Sequence, residues 1–135
     1  MTDCIFCKIV SRELPAEIIG EDENFICFLD IKPIAKGHAL IVPKKHYKDI
    51  LEFPTDMELD FFAFLQKMTK KIIAAVGAHG YNIGMNNGAA AGQVIFHQHT
   101  HIIPRFNDDG LVSWPSKELS PEEIAEIKQQ ILNVH

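Results

Sequence analysis

A chain of 135 residues with 47% hydrophobic content and a formal net charge of −5 is long enough for one domain with a proper core. No basic run exceeds Lys44-Lys45 or Lys70-Lys71, which speaks against a nucleic-acid surface, and no apolar stretch of about 18 residues offers a membrane span. Three cysteines, an odd number, with no charged and then apolar leader, argue against a disulfide framework and point to the cytoplasm.

In chain order, the first feature is the knuckle Cys4-Ile-Phe-Cys7. Its spacing brings two thiols to one point, but a tetrahedral metal needs two more ligands, and His46 and His97 are the candidates. A redox pair and plain free thiols are the competing readings. Ile18-Ile19-Gly20 and Asn24 to Asp30 are predicted strands joined by the acidic turn Glu21-Asp22-Glu23, with Cys27 a small core residue. His38 to Pro43 reads as a third strand. Thr55-Asp-Met-Glu58 has a capping-box pattern and opens a long helix whose Phe61, Leu65, Met68, Ile72 and Val76 recur at helical spacing. Gly77 is its predicted stop. Tyr81 to Asn86 is a fourth predicted strand, followed by the small-residue loop Asn87 to Gly92. Val94 to Pro104 is a fifth. Ser120-Pro-Glu-Glu123 opens a closing helix that runs to about Leu132, with Ile124, Ile127 and Ile131 on one stripe. The expected class is α+β, a five-stranded antiparallel sheet with one long helix and a C-terminal helix.

The chemistry concentrates in His97-Gln-His99-Thr-His101. On a strand, side chains two apart share a face, so the spacing predicts three imidazoles in a row with Gln98 and Thr100 turned away. Neutral imidazole can attack, bind a metal or carry a proton near pH 7. The middle ring, His99, is the natural attacker, provided its other nitrogen donates to an acceptor that fixes the tautomer. Its neighbours can then hold an anion or handle protons. The loop Asn86 to Gln93 ends four residues earlier, and small residues let backbone N–H groups approach an anion closely. Asn86, Gln93 and Arg105 are further candidate donors for phosphate oxygens.

These motifs carry a resemblance. Cys-Ile-Phe-Cys-Lys-Ile, Phe28-Leu-Asp30-Ile, Gly37-His38-Ala-Leu-Ile-Val-Pro-Lys-Lys-His46, Asn86-Asn-Gly, Gly92-Gln93 and His97-x-His99-x-His101-Ile-Ile-Pro-Arg stand in the order and spacing of the histidine-triad (HIT) family, over about residues 3–106. The chain resembles the zinc-containing bacterial and archaeal branch of Hint-type proteins more than the vertebrate Hint proteins, which lack the cysteine pair. That resemblance implies a HIT-like fold in a homodimer. It also implies attack by His99 on the α-phosphorus of a purine nucleotide or nucleotide conjugate, through a nucleotidyl-histidine that water hydrolyses. His101 and His38 would contact phosphates or assist the leaving group's proton, and Asp30 would hold the ribose hydroxyls. Asn86, Gly92, Gln93 and Val94 would line the phosphate end. Related galactose-1-phosphate uridylyltransferases imply a structural zinc on Cys4, Cys7, His46 and His97. Two departures stand out: Val94 replaces a hydroxyl residue of many relatives, and the tail beyond Trp114-Pro115 continues into a helix. Phosphoramidates are the leading substrate class. Asymmetric cleavage of dinucleoside polyphosphates, as in the Fhit-type branch, and a nucleotide-binding scaffold with incidental activity are the alternatives.

Overall fold

The computed structural model describes residues 3–112 and 114–135. Helix α1 (Ile5–Val10) is followed by β1 (Ile18–Glu21), β2 (Phe25–Leu29) and β3 (Ala39–Pro43). After two short 3-10 turns come α2 (Glu58–Val76), β4 (Gly80–Gly84), β5 (Thr100–Arg105) and α3 (Pro121–Leu132). The five strands form one antiparallel sheet in the order β1-β2-β3-β5-β4.

Strands β2 and β3 are buried on both faces, which their unbroken apolar runs Phe25-Ile-Cys-Phe and Ala39-Leu-Ile-Val already require. Alternate residues serve opposite layers. Phe25, Cys27 and Ile41 pack under Phe64, Leu65, Met68 and Ile72 of α2. Ile26, Phe28, Leu40 and Val42 meet Phe6 and Ile9 of α1. Cys27 is a fully buried core thiol whose pKa burial pushes up to about 12. Among the described residues, no helix is long and apolar enough to cross a membrane.

Four expectations need correction. The capping box at Thr55 does not form. Pro54 takes the extended entry position and has no side-chain acceptor to offer, Thr55–Met57 coil as a 3-10 turn, and α2 starts at Glu58. Helix α1 was not foreseen; the sulfur of Cys4 caps it by accepting the Cys7 N–H. The fifth strand begins at Thr100 rather than Val94, so only His101 of the three histidines lies within it. The reason lies in β3. Its ladder to β5 ends at Ile41↔Thr100. Pro43 has no N–H to extend the ladder, and its carbonyl accepts from the His97 ring at 2.8 Å instead. The fourth strand also ends at Gly84 rather than Asn86. By contrast, Gly77 closes α2 in the left-handed conformation at φ 68°, and Ser120 and Glu123 form a full capping box on α3.

Candidate active site

The end of the sheet where β4 stops and β5 starts, at the pair Gly84↔His101, gathers the histidines. Because the chain bends through residues 95–97 before entering β5, the rings are not a simple row. His97 turns towards β3, while His99 and His101 stay together with ring centroids 5.2 Å apart. Gln98 does face away, donating to Thr100 Oγ1 at 3.2 Å.

Backbone groups assign each ring its task. A carbonyl can only accept and an amide N–H can only donate, so a ring nitrogen beside either has its proton state settled. His99 Nδ1 lies 2.8 Å from the His97 carbonyl, so Nδ1 carries the proton and Nε2 keeps its lone pair. Burial pushes the pKa of His99 down, which keeps the ring neutral at pH 7. That is the state a nucleophile requires. His38 Nδ1 accepts from the Ile34 N–H at 3.0 Å, so its proton sits on Nε2, which lies 2.9 Å from His101 Nδ1. His101 in turn holds its proton on Nε2. Burial, then the proximity of His99 and His38, pushes His101 down to about 4. Asp30 joins this group with Oδ2 3.6 Å from His38 Nε2, while its Oδ1 accepts the Lys32 N–H at 2.8 Å and closes the turn before Pro33.

The knuckle corner is arranged differently. His97 donates from Nε2 to the Pro43 carbonyl, which leaves Nδ1 as a lone pair. That nitrogen lies 3.4 Å from Cys4 Sγ and 3.6 Å from Cys7 Sγ, and Cys7 Sγ lies 3.4 Å from His46 Nδ1. Zinc bonds of about 2.3 Å to sulfur and about 2.0–2.1 Å to nitrogen place tetrahedral neighbours about 3.6 Å apart. The four donors therefore have the spacing and the lone pair that a tetrahedral metal needs. Burial and the neighbouring Cys4 push the Cys7 thiol up to about 11, a state that a bound divalent cation reverses.

Asp30, His38 and His101 also cluster tightly enough to suggest a metal site. Here the chemistry does not fit. With Nδ1 of His38 occupied by an N–H donor, its Nε2 could bind a cation only as an imidazolate.

Phe6 escaped the reading of the sequence. Its ring stands edge-on to His99 at 5.0 Å and to His97 at 5.9 Å, and against Phe28 at 5.5 Å. It walls His99 from the apolar side. The only signal was its position inside the knuckle, three residues before Ile9.

Two candidate donors are otherwise engaged. Gln93 is buried, its oxygen accepts from the Gly88 N–H, and its nitrogen donates to the Lys48 and Ile95 carbonyls. Its side chain therefore shapes the loop and is not free for a phosphate. Arg105 lies at the far end of β5, paired with Asp109 and bonded to Asn82 and the Leu111 carbonyl. Asn86 lies against Gly92, whose φ of 93° favours glycine and whose Cβ, if present, would come 3.7 Å from the Asn86 amide. Val94 projects into solvent.

The class defined here is an α+β sheet that holds a neutral, tautomer-locked imidazole beside two further histidines and a Cys₂His₂ corner spaced for a metal. A family model described as HIT domain matches residues 11–108, and the chain belongs to that family. The adenosine 5′-monophosphoramidase of Schizosaccharomyces pombe is 42% identical over 130 residues, 95% of this chain and 95% of that protein. The adenylylsulfatase of Arabidopsis thaliana is 44% identical over 117 residues, 87% of this chain and 58% of its own length. In three dimensions the chain is similar to a Zn-bound histidine triad family protein from Mycobacterium smegmatis, with a TM-score of 0.77 at 35% identity, covering 96% of this chain and 98% of that one. Both named relatives are enzymes, and this chain is an enzyme of the same family.

Proposed function

We propose that the protein hydrolyses nucleoside monophosphate derivatives at the α-phosphate through a covalent nucleotidyl-histidine. The observation that carries this is the His99 tautomer: Nδ1–H is held by the His97 carbonyl at 2.8 Å, and Nε2 is a bare lone pair on a buried ring. In the first step Nε2 attacks phosphorus, a P–N bond forms, and the leaving group departs with the electrons of its own bond. In the second, water adds to phosphorus and gives up a proton to solvent while the P–N bond breaks, returning nucleotide and neutral His99 with its Nε2 lone pair. His101 Nε2–H offers a hydrogen bond to the phosphoryl group. Asp30 is the candidate for the ribose hydroxyls, with Asn86, Gly92 and the backbone at Val94 at the phosphate end. Phosphoramidates and sulfo-nucleotides are the preferred substrate class. The phosphoramidase and adenylylsulfatase names of the two relatives support that choice over dinucleoside polyphosphates and over a binding scaffold.

Cys4, Cys7, His46 and His97 would hold one zinc, as the donor spacing and the zinc-bound relative support. A closed set of four ligands leaves no open position for water, so the metal would act as a structural brace. The brace matters because His97 contributes its ring to the metal corner and its carbonyl to His99. We take the working unit to be a homodimer. Support comes from apolar surface that would otherwise face water: Ile124, Ile127 and Ile131 on α3, and Tyr81 and Ile83 on the edge strand β4.

The test is single-turnover quenching with adenosine phosphoramidate, followed by mass measurement of the protein. Wild type should carry one adenylyl group, and His99→Ala should carry none, with turnover down about 10⁴-fold or more. Near-normal turnover by His99→Ala would end this reading.

A further inference from the structure

One backbone amide governs the proton positions of two catalytic-site rings. The Ile34 N–H, in the turn after Pro33, donates to His38 Nδ1 at 3.0 Å. An amide cannot accept, so that nitrogen must be bare and neutral His38 must carry its proton on Nε2. Nε2 lies 2.9 Å from His101 Nδ1, which therefore accepts, and neutral His101 is left with its proton on Nε2. The carboxylate of Asp30, with Oδ2 3.6 Å from His38 Nε2, favours the same arrangement because it faces the protonated edge. The Ile34 side chain has no part in this and is 56% exposed.

We propose that the Ile34 N–H is a positioning group for the reaction, a lock that keeps His101 as an Nε2–H donor towards the substrate and keeps the His38–His101 pair from taking up an extra proton. The inference rests on the phosphoryl-transfer reading given above. A second proton on His101 would have to sit on Nδ1, pointing at the Nε2–H of His38. Passing His38's proton round to its own Nδ1 would relieve that clash only by pointing N–H at the N–H of Ile34. Either arrangement sets two donors head to head and forfeits a buried hydrogen bond. His101 therefore lends a hydrogen bond to the phosphoryl or leaving atom and keeps its proton. As the P–N bond to His99 forms and the bond to the leaving group breaks, the departing atom takes the electron pair; an amine nitrogen carries a proton taken from solvent before that bond breaks, so it leaves as the neutral amine. Without the lock, the pair can flip to the opposite tautomers. His101 then presents a lone pair to an anionic group, which repels it.

The experiment compares three full-length proteins with wild type: Ile34→Ala, which keeps the N–H; Ile34→Pro, which deletes it; and a semisynthetic chain with an ester in place of the residue-34 amide. The ester protein deletes the N–H even where proline prevents folding. The ring tautomers are read by ¹⁵N shifts of labelled histidine in the free protein, and turnover is measured with adenosine phosphoramidate. In Ile34→Ala the tautomers and rate should match wild type. In the proline and ester proteins His38 Nδ1 and His101 Nδ1 should move from bare-nitrogen shifts to averaged ones, and kcat/KM should fall about tenfold, the worth of roughly one hydrogen bond. Unchanged tautomer shifts, or unchanged turnover, in a folded ester protein overturn the proposal. A residue that merely supported the turn would lower stability and leave the shifts alone. Because the shifts need no substrate, they test the lock even if His99→Ala shows that the reaction itself was misread.

Discussion

Among the described residues, two corners carry side chains that could hold a metal: Cys4, Cys7, His46 and His97 on one side of His99, and Asp30, His38 and His101 on the other. Each contains two histidines, joined by two cysteines in the first and by an aspartate in the second. What separates them is the backbone group that each histidine meets. His97 donates to a carbonyl and so turns a lone pair to the sulfurs. His38 accepts from an amide and so turns a proton to His101. A single reversal of hydrogen-bond direction leaves one corner with a lone pair fit for a metal and the other with a proton to donate. The same rule, applied once more through the His97 carbonyl, leaves His99 Nε2 with the lone pair that the proposed nucleophile needs. Tautomers set by the main chain are as much a part of such a site as the side chains themselves.

The comparison can be broken most forcefully at the brace. Metal analysis should return one zinc per chain and not two, lost in Cys7→Ser. Because the ion binds the folded state alone, chelation should lower the melting temperature by about 10 °C. A second equivalent held by the Asp30 corner, or a melting temperature indifferent to chelator, would contradict the assignment of the two corners.

Asp30→Asn sharpens the relay side. An asparagine oxygen still accepts the Lys32 N–H that closes the turn, but the charge beside His38, proposed above to hold the ribose hydroxyls, is gone. Ribonucleotide affinity should fall about tenfold, and that of 2′-deoxy analogues much less, since a charged acceptor strengthens a hydrogen bond by about 1.5 kcal/mol. Equal losses on both sugars would leave Asp30 as a turn residue only.

The smallest effect is in pH. Burial lowers the pKa of His101 from 6.5 to about 4 and lowers that of His38 as well. The unfolded chain thus takes up protons first, near pH 6.5, while the folded relay stays neutral. The stability that this neutrality confers is whole above about pH 6.5 and drains away as pH falls towards 4. Between those limits wild type should lose a few degrees of melting temperature more than His101→Asn, measured in the presence of excess zinc. Identical slopes would show that the ring is not held neutral.

The elements of this fold were largely legible from their own residues. The runs of β2 and β3, the stripe of α2, the left-handed stop at Gly77 and the capping box at Ser120 are local signals, written within a few positions of the structure they cause. The failures were places where a distant group intervened. Val94 to His99 has the pattern of a strand, yet Pro43, 54 residues before His97, offers no N–H and holds the ring by its carbonyl. Gln93 looked free for a phosphate until Gly88, Lys48 and Ile95 claimed both ends of its amide. Arg105 looked available until Asp109 folded back on it.

Residue types and short spacings were enough to mark three histidines, a cysteine knuckle and a small-residue loop as the chemistry of this chain, because such patterns are local and few folds would tolerate them by chance. They also singled out His99 as the candidate attacker and His97 as a candidate metal ligand, but the proton positions that would fit each ring to such a role were not written there. A histidine has two nitrogens and one proton, and only the carbonyls of Pro43 and His97 and the amide of Ile34, brought into place by the packed sheet and its turns, decide where each proton rests.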